Sequence, residues 1–231
     1  MFNLNHLQIM KNKLIVMLVL LTFLASCAGT SKVQTTPRAA VDLGLPSGTL
    51  WANCNVGASN PWDFGEHFAW GETTPNATYT WATYKYSHEN TNKLTKYSNK
   101  FSGFEGYTDS FNKFEDSDDA ATANWGSEWS TPNSEQWAEL QKECTWTWKT
   151  VKNVNGYEVK GKNGKTIFLP AAGRMEKDAK LVGGGERGFY MDGEVVGMPI
   201  NKTIYLKSSG FSFEGNDKCM GLSVRPVQTK K

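Results

Sequence analysis

All nine tryptophans of the chain fall between Trp51 and Trp148, interleaved with Gly, Asn, Ser and Thr. Large rings among turn-forming residues suit a core built from loops and short strands, since each buried aromatic covers ~150–250 Å². Helical periodicity is correspondingly scarce. Only residues 133–143 read clearly as helix. Asn133 is a good N-cap, Gln136 follows at capping-box spacing, and Pro132 marks the boundary. Trp137, Leu140 and Cys144 then form one apolar stripe that should face the core.

The other segments read as strands: residues 49–56, 157–160, 166–169, 203–206 and 222–227. Pro226 confines the last to an edge or terminus. Between the second and third lies GKNGKT, residues 161–166, which at first sight resembles a phosphate loop. The signature G-x-x-x-x-G-K-[ST] is incomplete in both registers. One has Val159 where the first glycine belongs, and the other has Asn163 in place of the hydroxyl. No helix-forming segment follows. Asn163-Gly164 between two apolar alternations instead predicts a hairpin, with both residues at positive φ.

The N-terminus has a different character. Lys11 and Lys13 precede an apolar run from Leu14 to Leu24, and small residues lead to Cys27. That is the layout of a secretory signal, with translation starting at Met1 or Met10. The run is shorter than the ~20 residues of a spanning helix. Leu24-Ala25-Ser26-Cys27 resembles a bacterial lipobox, which implies that Cys27 carries lipid and becomes the mature N-terminus. The expected organisation is a signal over 1–26, a lipidated polar tether over 27–40, and one domain over 41–231. The chain has 25 basic and 23 acidic residues. Without the two leader lysines it is balanced, which gives no reason to expect nucleic acid as a partner. Cys54, Cys144 and Cys219 remain. A Cys54–Cys144 disulfide and three buried thiols fit the sequence equally well, and none has zinc-site spacing.

The blocks VDLGLPSGTLWANCNVGASNPWDFGEHFAWGET, DDAATANWGSEWSTPNSEQWAEL, CTWTW, NGYEVKGKNGKTIFLPAAG and GLSVRPV occur in that order. They resemble the Fibrobacter succinogenes major paralogous domain, a family abundant in Bacteroidota lipoproteins and related to the C-type-lectin-like fold of formylglycine-generating enzymes. The resemblance covers roughly residues 41–227, with 174–218 matching poorly. It implies an α+β, C-type-lectin-like fold with a small mixed or antiparallel sheet, one or two helices, long irregular loops, and paired N- and C-terminal strands. It also implies a lipid-anchored outer-membrane protein, on the periplasmic face or the cell surface.

The related activities do not carry over residue by residue. Formylglycine generation needs two C-terminal cysteines, and only Cys219 lies there. The calcium-binding strings of sugar-binding lectins are incomplete at Thr131-Pro132-Asn133 and Gly215-Asn216-Asp217. The acidic cluster Glu115-Asp116-Ser117-Asp118-Asp119 makes Asp116, Asp118 and Asp119 weak calcium candidates. Capping of the short turn 120–124 by Asp118 or Asp119 is the simpler reading. His67, in an alternating stretch, reads as a packed structural histidine. No G-x-S-x-G, H-E-x-x-H or dinucleotide loop is present.

The ligand-facing loops of the related fold map onto the poorly matching region, which nominates Arg174, Arg187, Phe189 and Tyr190. Trp62 and Trp81 are candidate stacking platforms, although core packing is the commoner fate of such rings. The resulting expectation is a non-catalytic, lipid-anchored binding or adhesion domain for a glycan or a protein. A degenerate or unrecognised enzyme, or a structural envelope component, are the alternatives.

Overall fold

A computed structural model describes residues 38–229. Cys27, the signal 1–26 and most of the tether lie outside them. In chain order the elements are β1 (Ala40–Asp42), β2 (Leu50–Ala52), β3 (His67–Phe68), α1 (Ala120–Trp125), α2 (Ser134–Glu143), β4 (Thr145–Val151), β5 (Val154–Lys160), β6 (Thr166–Pro170), β7 (Arg174–Glu176), β8 (Lys180–Val182), β9 (Arg187–Met191), β10 (Ile200–Lys207), β11 (Gly210–Asp217), β12 (Leu222–Ser223) and β13 (Val227–Gln228). They form small, mainly antiparallel sheets with two helices, an α+β arrangement. The strand orders are β1-β2-β13, β11-β10-β9-β12-β3, β4-β5-β6 and β7-β8. Among the described residues no helix is long and apolar enough to cross a membrane.

The helix forms where its sequence predicts. The Asn133 side chain accepts from the Gln136 N–H, and the Gln136 side chain accepts from the Asn133 N–H. Two helix-end donors are thereby satisfied reciprocally. Trp137 and Leu140 face inward, and the Trp137 ring meets Trp51 edge-on at 4.7 Å.

The 161–166 segment is a hairpin, as expected, but its turn differs from expectation. Lys160 faces Thr166 across the ladder. The Gly164 N–H donates to the Gly161 carbonyl at 2.9 Å, and of the Asn-Gly pair only Gly164 takes a positive φ, 85°. Asn163 has another use: its Nδ2 donates to the Asp42 carbonyl at 2.7 Å, tying the turn to the end of β1. A tertiary hydrogen bond here selects the turn type.

The final segment is not one strand. Leu222 and Ser223 pair with β3 and β9, whereas Val227 and Gln228 pair with β2 at the edge of another sheet. The chain changes sheets at Val224-Arg225-Pro226. Arg225 is fully buried, donating to Asn55 Oδ1 at 2.8 Å and to the Ala52 and Phe168 carbonyls at 3.0 and 2.8 Å. It thereby joins the β2 segment, β6 and the C-terminal crossing. Because β13 pairs with β2, the described region closes beside its own first strands.

The poorly matching residues 174–218, within which the stretch up to Asp192 is expected as ligand-facing loops, hold much of the regular structure. They supply β7, β8 and the three successive strands β9, β10 and β11. β9 is central in its sheet, with β10 on one side and β12 on the other. Both its edges are therefore paired, and a core lies on each of its faces. Consecutive side chains point to opposite faces of a strand, so Phe189 enters one core with Trp70 and Phe68, and Tyr190 enters the other with Trp137 and Ile204.

The three cysteines of the described region are free, so the Cys54–Cys144 bridge is absent; Cys54 and Cys219 are buried thiols, as the alternative expects, whereas Cys144 is only partly buried. Burial pushes the Cys144 thiol up to about 11 and the Cys219 thiol to about 12, which keeps both away from the nucleophilic thiolate form.

Candidate functional site

A groove of about 820 Å³ opens beside the start of α2. Its walls come from the segment Asn112–Asp116, the loop following α1, the first turn of α2, Gly193–Glu194 after β9, and Gln228–Thr229 at the end of β13. Two of these walls, the loop following α1 and the Gly193–Glu194 segment, are held from behind.

Asp119 fixes the first. Its carboxylate caps α1 by accepting from the Ala121 and Thr122 N–H groups. It also accepts from the Thr131 N–H at 2.9 Å and the Thr131 hydroxyl at 2.7 Å. One buried carboxylate thus pins the return of the chain against the start of the helix. Thr122 Oγ1 donates to the Trp129 carbonyl at 2.7 Å, and Trp125 meets Trp129 edge-on at 4.9 Å. Burial pushes the Asp119 carboxyl up, against the pull of its Thr131 hydrogen bonds. All its partners are neutral.

The opposite wall is built on Asp192, which is fully buried. Trp70 Nε1 donates to its carbonyl at 3.0 Å, and the Gly193 N–H donates to the Pro132 carbonyl at 2.9 Å. Asp192 Oδ1 accepts from the Glu194 N–H at 2.9 Å. The Ser134 hydroxyl, at the first position of α2, touches both Asp192 Oδ2 and Glu194 Oε2. Lys202 Nζ lies 3.0 Å from Ser134 Oγ and 3.7 Å from Glu194 Oε2.

Ser134 brings one proton to two carboxylates. When Asp192 keeps its own proton, every contact is satisfied: Asp192 donates to Ser134, Ser134 to Glu194, and Lys202 to Ser134. Burial pushes the Asp192 carboxyl up, which favours this arrangement.

The rim carries Asp116, Glu128, Glu135 and Glu194, with Lys113 the lone cation of the lining, and amides and hydroxyls from Asn112, Ser127, Ser130, Gln136 and Thr229. Phe114 and Trp129 back the lining from the core, both of them buried. The arrangement can bind a hydrogen-bonding ligand and exchange a proton at Ser134.

Of the nominated residues, Asp116 and Asp119 line this groove, Asp116 exposed on the rim and Asp119 engaged in capping. Asp118 faces elsewhere. Its buried carboxylate takes Lys85 Nζ at 2.8 Å, Lys96 Nζ at 2.5 Å and the Tyr97 hydroxyl at 2.8 Å. Burial alone would raise the Asp118 carboxyl, but the bonds from Lys85 and Lys96 hold it well below the usual carboxylate range. No three His, Cys, Asp or Glu side chains among the described residues are placed to hold a metal ion.

The nominated binding residues form no common site. Phe189 and Tyr190 are core residues, a correction that follows from the central position of β9. The Tyr190 hydroxyl is spent on the Pro170 carbonyl at 2.8 Å. Arg174 pairs with Glu176, donates to Asn216 Oδ1 at 2.5 Å, and lies over the Phe189 ring at 4.8 Å. Arg187 packs against Gly183 at the start of β9. Trp81 packs edge-on with Tyr84 against the core, and Trp62 is half-buried with Lys152 over its ring at 6.0 Å. None of these six lines the groove. His67 is buried, as expected. Its Nε2 lies 3.1 Å from the Ala172 carbonyl, and burial pushes it below its ordinary value.

Sequence reading missed Ser134, Asp192, Glu194 and Lys202. Asp192 and Glu194 form a short acidic pair after β9, but Ser134 lies 58 residues before Asp192, and only the fold joins them. Compared with family models, curated proteins and solved structures, the chain matches none.

Proposed function

We propose that the chain is a lipid-anchored cell-envelope protein whose domain binds a polyhydroxylated ligand, a glycan, in the groove beside α2, without turning it over. The observation that carries the reading is the lining. Around Phe114 and Trp129, nearly every wall residue offers an amide, hydroxyl or carboxylate. Sugars present many hydrogen-bonding groups along their edges, and a concave site with convergent polar groups suits such ligands. The resemblance to a Bacteroidota lipoprotein family and the lipobox at Cys27 support the anchored location. Protease shaving of intact cells assigns the membrane face.

The reading is tested by glycan-array screening followed by titration of the best binder. Glu128→Gln with Glu135→Gln should lower affinity by about tenfold, the cost of losing hydrogen bonds to charged groups. Unchanged affinity in that double variant removes the groove from the site. A protein captured instead, with no glycan bound, replaces the ligand class.

One observation favours a hydrolytic reading: Ser134 Oγ sits on the groove wall between two carboxylates and Lys202. Turnover of an ester or glycoside by the purified protein, abolished in Ser134→Ala, would establish it.

A further inference from the structure

Large apolar side chains that stay in water concentrate in one region. Among the described residues seven are exposed, and six of them belong to two neighbouring stretches. Phe101 (72% exposed), Tyr107 and Phe111 come from the first, and Val196, Met198 and Ile200 from the second. The stretches are fastened together. The Asn99 N–H donates to the Gly197 carbonyl at 3.0 Å, Asn99 Nδ2 reaches Met198 Sδ at 3.4 Å, and the Ser102 hydroxyl donates to the same Gly197 carbonyl. On the other side Ser98 Oγ donates to the Tyr107 carbonyl at 3.0 Å, and the Phe111 ring lies 5.1 Å from Tyr97.

The display is braced. The Asn99 side chain accepts from the Phe101 and Ser102 N–H groups at 3.0 and 3.2 Å, closing the turn that carries Phe101. Lys93 Nζ donates to the Phe101 carbonyl at 3.0 Å. A ring held outward by so many bonds is not a stray surface residue. The second stretch, Val196-Gly197-Met198-Pro199-Ile200, has no charge, and its large side chains alternate outward. Lys93 and Lys100 flank Phe101, Lys100 with its Nζ 5.0 Å from that ring, and neither pairs with a carboxylate.

We infer that this patch is a membrane-docking surface, with Phe101, Met198 and Ile200 entering the interface of a bilayer containing anionic lipid, and Lys93 and Lys100 meeting its phosphates. Two observations select lipid as the occupant. Unpaired lysines beside exposed rings match a negatively charged headgroup layer above an apolar one, with the lysine stems lying along the apolar surface. Glu105 and Asp109 lie in the same stretch, so the attraction is confined to the two lysines beside Phe101. The chain between Cys27 and Arg38 is also short. At ~3.3–3.6 Å per extended residue it keeps Arg38 within roughly 40 Å of an anchored Cys27. That reach keeps the domain beside the bilayer, and it rests on the lipid-anchor part of the proposed function.

The test uses the chain from Ala28 onward, which lacks the lipid and retains both cores. It should float with vesicles of phosphatidylcholine mixed with phosphatidylglycerol, less so as salt is raised, and much less with phosphatidylcholine alone. Lys93→Gln and Lys100→Gln should each weaken vesicle affinity about fivefold, and Phe101→Ser about tenfold. Melting temperatures should match the parent chain, since these side chains are exposed. Absence of flotation, or affinity undiminished in all three variants, overturns the inference. So does loss of a dimer or of a bound protein in Phe101→Ser with vesicle binding unaltered, which would make the patch a protein interface. The mass of Cys27 in full-length protein from cells tests the anchor separately.

Discussion

The knot around Asp118 and the groove wall around Asp192 both bury a carboxylate beside a hydroxyl and a lysine, yet they treat its charge oppositely. At Asp118 two lysines touch the carboxylate directly, and its pKa falls. At Asp192 the lysine reaches the carboxylate only through Ser134, and burial raises the pKa. Direct charge contact outweighs desolvation, whereas a neutral relay does not. The lesson recurs at adjacent residues, since Asp119, one position beyond Asp118, meets only neutral donors and is shifted upward.

Lys218 extends the comparison to a buried cation without a counterion. It is fully buried, with Nζ 3.7 Å from the centre of the Trp70 ring and 3.4 Å from the Tyr97 carbonyl. Burial pushes its pKa down to about 7. The unfolded chain therefore binds an extra proton between that value and the ordinary lysine range, and stability should climb with pH through this window. Lys218→Met should flatten that climb and stabilise the protein near neutrality by on the order of 3 kcal/mol, read by urea unfolding across pH. A curve as steep as the parent's would show that the slope does not come from Lys218.

The next effect is at Asp118. Asp118→Asn removes a charge that two lysines need, and should cost about 2 kcal/mol at neutral pH, the partly solvated lysines softening a buried-pair loss. Its contribution has the sign of a depressed carboxylate. It is present above the ordinary aspartate pKa and is lost as pH falls below it, so the variant should converge with the parent in acid. Asp192→Asn should behave in the opposite way. A raised carboxyl stabilises the fold while protonated and loses that advantage as pH rises through its folded pKa, so a neutral amide should leave neutral-pH stability equal or higher by ~1 kcal/mol. Destabilisation of both variants alike would break the comparison. A last, smaller test is Asn133→Ala, which removes one half of the capping box that places Ser134 on the groove wall and should cost ~1 kcal/mol.

Local chemistry was legible wherever it was self-contained. The helix over 134–143 announces itself by its cap, its capping-box partner and its stripe, all within one segment. The hairpin around Gly164 is signalled by flanking strands, although Asn163's bond to the Asp42 carbonyl altered its turn. Asp119's capping role was readable because the helix it caps begins at the next residue. Phe189 and Tyr190 were misread because a short glycine-containing run looks the same in a loop as in the middle strand of a sheet. Only the assembled fold pairs both its edges with β10 and β12 and packs a core against each of its faces.

The sequence by itself therefore determined the helix, the hairpin and the buried histidine, since each depends on spacing along a few residues. The tertiary structure alone decided the groove, the proton-sharing set of Ser134, Asp192, Glu194 and Lys202, the opposite fates of Asp118 and Asp192, and the joined apolar stretches around Phe101 and Met198. Those features depend on which distant groups exclude water from one another. Burial and charge proximity are properties of the assembled fold, and no local spacing encodes them.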